Sequence, residues 1–177
     1  MTRLFAFIPL AFFAAMAVYF AMGLQEDPGE IPSQLIDQPL PDFELAPIQG
    51  TEFGFTDDDL QGEVILLNYF GSWCPPCLQE HPMLMQIARS GVVPIYGVDW
   101  KDEPGAGAAW LQRYGNPYVR VGDDASGRLA IDFGLTGAPE TFLIDREGRV
   151  RYRHVGIITE DVWNETLRPM VEALQRS

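Results

Sequence analysis

Residues 63–79, EVILLNYFGSWCPPCLQ, run an unbroken apolar stretch straight into two cysteines separated by two residues. The stretch is rich in branched and aromatic side chains and lacks the alternation of a half-exposed strand. It therefore reads as a strand over 63–70 that is buried on both faces. Cys74 and Cys77 are the only cysteines in the 177 residues. A chain of this length can bury a core without crosslinks, and scaffolds that depend on disulfides carry four or more cysteines. A structural staple is not what this pair is needed for.

The rest of the chain supplies the partners of that strand. PPCLQEHPMLMQIARSG predicts a helix with Leu78, Met85 and Ala88 on one face, Gly91 as its stop and Pro82 as a kink. VVPIYGVDW, residues 92–100, predicts a second central strand. PGAGAAWLQRYG and SGRLAIDFGL predict short helices, the latter N-capped by Ser126. Residues 140–145, ETFLID, turn through REG into 149–155, RVRYRHV, as a hairpin. TEDVWNETLRPMVEALQR predicts a closing helix with Thr159 as N-cap and a bend or break at Pro169. PDFELAPI and TEFGF suggest a short strand pair ahead of all this. A βαβ unit, a helix, a hairpin and a last helix describe an α/β sandwich.

The N-terminus is of another kind. Residues 4–24 carry no charge, and as a helix they would extend about 31 Å, roughly the hydrocarbon thickness of a bilayer. Arg3 precedes them; Glu26, Asp27 and Glu30 follow, which places the bulk of the chain outside the cytoplasm. Ala21 and Gly23 also suit a cleaved signal peptide, but its apolar region is usually only about 7–15 residues. The expected organisation is an uncleaved anchor at 1–24, a Pro-containing linker at 25–39 and a domain at 40–177. Of the 12 Lys and Arg only Arg3 precedes residue 25, whereas all 25 Asp and Glu follow it. The exported part is thus strongly acidic, which argues against a nucleic-acid partner.

Placement gives the cysteines their chemistry. Cys74 follows a buried strand and opens a helix, where free N–H groups and the helix dipole favour a thiolate over the free-thiol pKa of about 8.5. Pro75 and Pro76 suit the first helical turn, where a missing N–H costs little. In this reading Cys74 is exposed and attacks a substrate disulfide, and Cys77, one turn deeper, resolves the mixed disulfide. A zinc site needs four ligands, and His81 and His154, the only histidines, lie in no paired motif. Covalent haem attachment needs His after the second cysteine, where this chain has Leu78. An inert disulfide is the remaining alternative; so short a loop gains little from closure.

Three stretches carry a resemblance: LLNYFGSWCPPCLQEHP, IYGVDWKDEPGAGAAWLQRYGNPY and GRLAIDFGLTGAPETFLIDREGRVRYRHVG. Over residues 40–176 the chain resembles thioredoxin-fold thiol–disulfide oxidoreductases, most closely the membrane-anchored DsbE/CcmG family of cytochrome c maturation. The resemblance implies a thioredoxin-like fold, a central mixed β-sheet flanked by helices. It implies that Pro139 is cis and faces the cysteines, with Ala138 offering backbone hydrogen bonds to a peptide. It also implies a weak periplasmic reductant on the inner membrane that needs no cofactor or metal. That reductant would keep the haem-binding cysteines of apocytochrome c, or a maturation thiol protein, reduced, with electrons from a DsbD or CcdA type donor. A TlpA-like general disulfide reductase and a non-enzymatic copper chaperone are the alternatives.

Individual residues carry open expectations. Where thioredoxin has a buried Asp, this chain has Asn68. Glu80, one turn past Cys77, is then either the missing acid–base group or a solvated helix-surface residue. Glu140, beside Pro139, is either a charge in the substrate groove or a plain strand start. Trp73 is expected to shield Cys74 and contact an incoming peptide. Arg149, Arg151 and Arg153 alternate along one strand face, as a solvated surface or as a docking patch for an acidic partner.

Overall fold

The computed structural model describes residues 35–177 continuously and, before them, Pro9, Phe12, Phe13, Met16, Tyr19 and Phe20. Those six are helical and exposed, and belong to a separate unit, residues 1–31. The rest of the anchor expected at 1–24, and residues 25–34 of the linker, lie outside the described residues. Among the described residues no helix is long and apolar enough to cross a membrane.

Residues 32–177 form one unit. A two-stranded ribbon, β1 (Glu44–Leu45) against β2 (Phe55–Thr56), precedes a five-stranded sheet. The sheet strands are β3 (Ile65–Phe70), β4 (Ile95–Trp100), β5 (Val121–Asp124), β6 (Glu140–Ile144) and β7 (Val150–Val155). Their order is β5-β4-β3-β6-β7; β3, β4 and β5 are parallel, and β6 and β7 antiparallel to their neighbours. Helix α1 (Pro75–Ser90) follows β3, α2 (Ala106–Tyr114) follows β4, and α3 (Arg128–Asp132) follows β5. The chain closes with π-helical turns at Val162–Leu167 leading into α4 (Arg168–Arg176).

All six residues of β3 are buried, which is why its sequence does not alternate. Leu66 and Phe70 point into a core shared with Leu84 and Ile87 of α1, Trp110 and Leu111 of α2, and Trp163, Leu167 and Val171. Ile65, Leu67 and Tyr69 point into a second core with Leu45, Phe55, Leu129 and Phe133. Each such side chain contributes about 1.5–3 kcal/mol on burial, so the strand that leads to Cys74 is among the most firmly fixed parts of the chain.

Several expectations are corrected here. The buried face of α1 is Cys77, Glu80, His81, Leu84 and Ile87, whereas Leu78 is exposed and Met85 and Ala88 are only partly buried. Two polar residues point inward, so hydropathy selected the wrong stripe. Gly91 does end the helix, in a left-handed conformation at φ 66°. Ser126 is not the N-cap of α3: Gly127 occupies that position, and the Asp124 carboxylate accepts from the N–H groups of Leu129 and Ala130. Thr159 caps the last helix by accepting from the Val162 N–H. Pro169 does not break that helix, because the wide π turns end just before it and absorb the missing donor.

Strand β5 was not foreseen. Gly and Asp are poor strand formers, and VGDD holds three of them. Gly122 is required because the β1–β2 ribbon crosses directly over it; a Cβ there would lie 2.6 Å from Leu45 Cβ. Residues at the end of the stretch 25–39 also contact the sheet. Ile36 and Pro39 bridge to Val150 and Arg149, and the Asp37 N–H donates to the Val150 carbonyl. These residues cover the start of the β7 edge, which would otherwise leave backbone groups unpaired.

Candidate active site

The two cysteines lie where β3 gives way to α1, and they are joined in a disulfide. Cys74 is the N-cap of α1, with extended backbone, and its Sγ accepts from the Cys77 N–H at 3.2 Å. Pro75 and Pro76 have no N–H, so the Cys77 amide is the first that the helix offers the sulfur. An anion at Sγ thus receives one direct hydrogen bond plus the dipole of a sixteen-residue helix.

Cys74 is not openly exposed: it is 2% accessible, and Cys77 1%. The loop before β6 lies against it. Its route to solvent is a cleft of about 530 Å³, lined by Trp73, Cys74, Pro75 and Leu78 on one side and by Trp110 and Tyr114 of α2 on the other. Trp73 stands at the rim, 49% exposed, with its Nε1–H donating to the Trp100 carbonyl at 3.1 Å. The cleft wall supplied by α2 was not singled out from sequence, although its apolar AAWL run was visible.

The Ala138–Pro139 bond is cis, and the Ala138 carbonyl oxygen lies 3.4 Å from Cys74 Sγ. What holds this loop in place is Glu140. Its Oε1 accepts from the Thr136 N–H (2.8 Å), the Thr136 hydroxyl (2.5 Å) and the Gly137 N–H (3.0 Å). Its Oε2 pairs with Arg153 Nη2 at 2.7 Å, the two side chains being 0% and 5% exposed. Glu140 is therefore neither a free groove charge nor a plain strand start; it pins the loop that faces the cysteines. The arginine face divides: Arg149 and Arg151 are exposed, as a solvated surface requires, and Arg153 is not. Arg153 is buried on Glu140, Arg151 pairs with Asp37 and Asp145, and Arg149 donates to the Asp37 carbonyl.

Behind the disulfide lies a polar network. Glu80 is fully buried, which removes the solvated reading. It accepts from Asn68 Nδ2 at 2.9 Å and from the Ile158 N–H at 3.0 Å. Asn68 also donates to Thr141 Oγ1 and accepts from the Tyr118 hydroxyl at 2.8 Å. Tyr118 reaches it because β4 carries Gly97 opposite Asn68; a Cβ there would lie 2.8 Å from the Tyr118 ring. Burial raises Glu80 from 4.5 to about 7, against the lowering effect of its two donors. A group near 7 can take up and release a proton at physiological pH. Tyr118, Thr141 and Ile158 carried no sequence signal, since they meet Glu80 only through the fold. His81 is buried beside it, its Nε2 on the Gly115 carbonyl at 3.1 Å. Among the described residues no group of three or more His, Cys, Asp or Glu is arranged to hold a metal ion.

The Redoxin family model matches residues 36–168. The thiol:disulfide interchange protein DsbE of Pseudomonas aeruginosa is 43% identical over 98% of this chain and 96% of its own length. The chain belongs to the DsbE family of thiol:disulfide interchange proteins. HelX of Rhodobacter capsulatus is 40% identical (97% of each chain), and DsbE of Escherichia coli K12 is 38% identical (97% and 96%). Among solved structures, a DsbE protein from Chlorobium tepidum matches with TM-score 0.65 at 28% identity, over 77% of this chain and 95% of that one. As a DsbE family member with a Cys74–Cys77 disulfide, the protein is a thiol–disulfide oxidoreductase of thioredoxin-like fold. The expected thiol–disulfide oxidoreductase chemistry and the thioredoxin-like α/β fold with its mixed central sheet stand.

Proposed function

We propose that the protein is a membrane-anchored, periplasm-facing reductant that keeps the haem-binding cysteines of apocytochrome c, or of a maturation thiol protein, reduced. Its redox chemistry runs through the cysteine pair without a bound cofactor. Electrons arrive from a membrane protein of the DsbD or CcdA type. The observation that carries this reading is the arrangement around Cys74: an apolar cleft on one side, and the Ala138 carbonyl at 3.4 Å on the other. A peptide that lies in the cleft and pairs with the Ala138 backbone brings its own sulfur to Cys74.

In the reduced protein the Cys74 thiolate attacks one sulfur of the substrate disulfide, and the other leaves as a thiolate. The Cys77 thiol gives up its proton, and its sulfur attacks Cys74 Sγ. The substrate departs as a dithiol and the enzyme keeps the disulfide, two electrons having passed to the substrate. Glu80, one turn from Cys77 and raised to about 7, is the group assigned to take the Cys77 proton. Trp73, Pro75 and Pro76 shape the approach to Cys74, while Glu140 and Arg153 hold the Ala138–Pro139 loop.

The test uses a peptide bearing the Cys-x-x-Cys-His sequence as a disulfide. The reduced protein is expected to reduce it, and the Cys77→Ser variant to accumulate a mixed disulfide through Cys74. Equilibration against glutathione is expected to show a reducing couple; a strongly oxidising value would make the protein a dithiol oxidase. The intact mass of the mature protein is expected to include residues 1–24.

A further inference from the structure

A row of directly opposed residues crosses the sheet behind the disulfide. Asn68 of β3 faces Thr141 of β6, and Thr141 faces His154 of β7. Residues opposed in this way present their side chains on one face of the sheet. Asn68 and Thr141 already belong to the Glu80 network. His154, the end of the row, is partly buried and has no part in the chemistry assigned so far.

His154 reaches Glu80 through a single peptide group. The chain turns at Gly156, which has φ 100° and donates its N–H to the Pro139 carbonyl at 2.9 Å; a side chain would strain that turn. Beyond the turn the Ile157–Ile158 peptide comes back beside β7. Its carbonyl oxygen lies 3.2 Å from His154 Nε2, and its N–H donates to Glu80 Oε2 at 3.0 Å. A carbonyl only accepts, so the ring nitrogen supplies the proton of the first bond. Among the described residues no other group hydrogen-bonds to the Ile157 carbonyl. The two bonds act on one dipole in the same sense: donation to the oxygen polarises the peptide and strengthens donation from its N–H.

We propose that His154 is a positioning residue for Glu80: its ring holds the Ile157–Ile158 peptide in the orientation that aims the N–H at the buried carboxyl. Without that hold the peptide is free to turn its N–H away, and the carboxylate loses one of its two donors. Burial raises Glu80 to about 7, and the Ile158 N–H is the larger of the two effects that oppose the rise, so losing it moves Glu80 further up. The titratable groups around Glu80 are Cys77 and His81 on its own helix, Tyr118 through Asn68, and His154 through the peptide. Among the described residues no Lys, Arg or second carboxylate acts on it. A higher value leaves less of Glu80 ionised at neutral pH, and so less base to accept the Cys77 proton. The effect on Cys77 rests on the role proposed for Glu80; the hold on the peptide does not.

The experiment uses the full chain in its oxidised form, where neither cysteine titrates. The Glu80 side-chain carboxyl ¹³C shift is followed by NMR as pH is varied, with a midpoint near 7 expected in the wild type. His154→Phe keeps a ring but removes the donor, and is expected to raise the midpoint by about half a unit to one unit. His154→Gln restores an N–H donor at the place of Nε2, and is expected to return the midpoint most of the way. The Ile158 amide proton is expected to move upfield in His154→Phe, as its bond to Glu80 weakens, and not in His154→Gln. A Glu80 midpoint that does not rise in His154→Phe, or one that rises as far in His154→Gln, overturns the proposal. If His154→Phe does not fold, His154→Asn, whose amide is too short to reach the Ile157 carbonyl, takes its place under the same criterion. In parallel, the pH profile for reduction of a Cys-x-x-Cys-His peptide disulfide is expected to move up with the Glu80 midpoint in His154→Phe. A profile that stays put while the NMR midpoint rises removes Glu80 from the Cys77 proton transfer and leaves the His154 hold standing, so the two failures are told apart.

Discussion

The Asn68 amide donates to the Glu80 carboxyl at 2.9 Å, across the boundary between β3 and α1. A neutral side chain on the strand and an acid on the helix thus meet behind the redox pair. The second Glu80 oxygen holds the Ile158 N–H, so one carboxyl joins the central strand, the active-site helix and the segment leading to the last helix. This geometry sets both the chemistry proposed for Glu80 and its cost to stability.

That cost has a definite sign. Glu80 titrates near 7 in the folded chain, against an ordinary value of 4.5. Between those values the folded state binds more protons than the unfolded state, so this group makes stability fall as pH rises from about 4.5 to 7. The difference is worth about 3 kcal/mol. Asp99, raised from 3.8 to about 8, acts in the same direction over a window that extends one unit further. In urea denaturation at pH 5 and pH 8.5, Glu80→Gln is expected to lose less stability than the wild type, by about 3 kcal/mol. An equal loss in the two proteins contradicts the assignment.

Arg153 and Glu140 form a buried pair. Arg153→Met leaves a sealed carboxylate without its counter-ion, and the expected cost is about 3–5 kcal/mol. Glu140→Gln introduced together with Arg153→Met is expected to restore part of it. Denaturation midpoints for the double-mutant cycle decide the matter; additive losses would mean that the pair is not coupled.

Trp73 and Tyr114 border the cleft beside Cys74. Truncating either to Ala is expected to slow exchange with a peptide disulfide about tenfold, the equivalent of about 1.4 kcal/mol of lost contact. Exchange with glutathione, too small to span the cleft, is expected to change much less. Equal slowing of both substrates would show that the cleft does not bind the peptide.

Gly97→Ala places a methyl group 2.8 Å from the Tyr118 ring. Tyr118 is then displaced from Asn68, and overpacking of this kind costs about 1–3 kcal/mol. Thermal unfolding reads the loss directly. An unchanged midpoint would show that the ring can shift without loss.

How much of this was legible in the chain itself follows from where the signals are strong. The unbroken apolar run of β3, the β6–β7 hairpin around REG and the Gly91 stop all combine composition with turn chemistry, and each lies where the residues suggest. Strand β5 was hidden because its Gly and Asp residues answer to tertiary demands: Gly122 to the ribbon above it, Asp124 to the helix it caps. The inward face of α1 was misread because Glu80 and His81 occupy it, and buried polar groups at a reaction site defeat a hydropathy pattern. Arg153 looked like surface because its partner, Glu140, lies across the hairpin, and only the register brings the two together. The cysteine pair was readable from spacing and position, whereas its near-complete burial was not. Part of that burial comes from a loop more than sixty residues away in the chain, whose Ala138 carbonyl lies against Cys74 Sγ.

The central claim is that Cys74 reacts as a thiolate favoured by the helix it opens. Its most direct test is the rate of alkylation of the reduced protein by iodoacetamide as a function of pH, with the modified residue identified by mass spectrometry. The account predicts modification at Cys74 with a midpoint clearly below the free-thiol value of about 8.5. A midpoint at or above that value, or modification at Cys77 in its place, would contradict it.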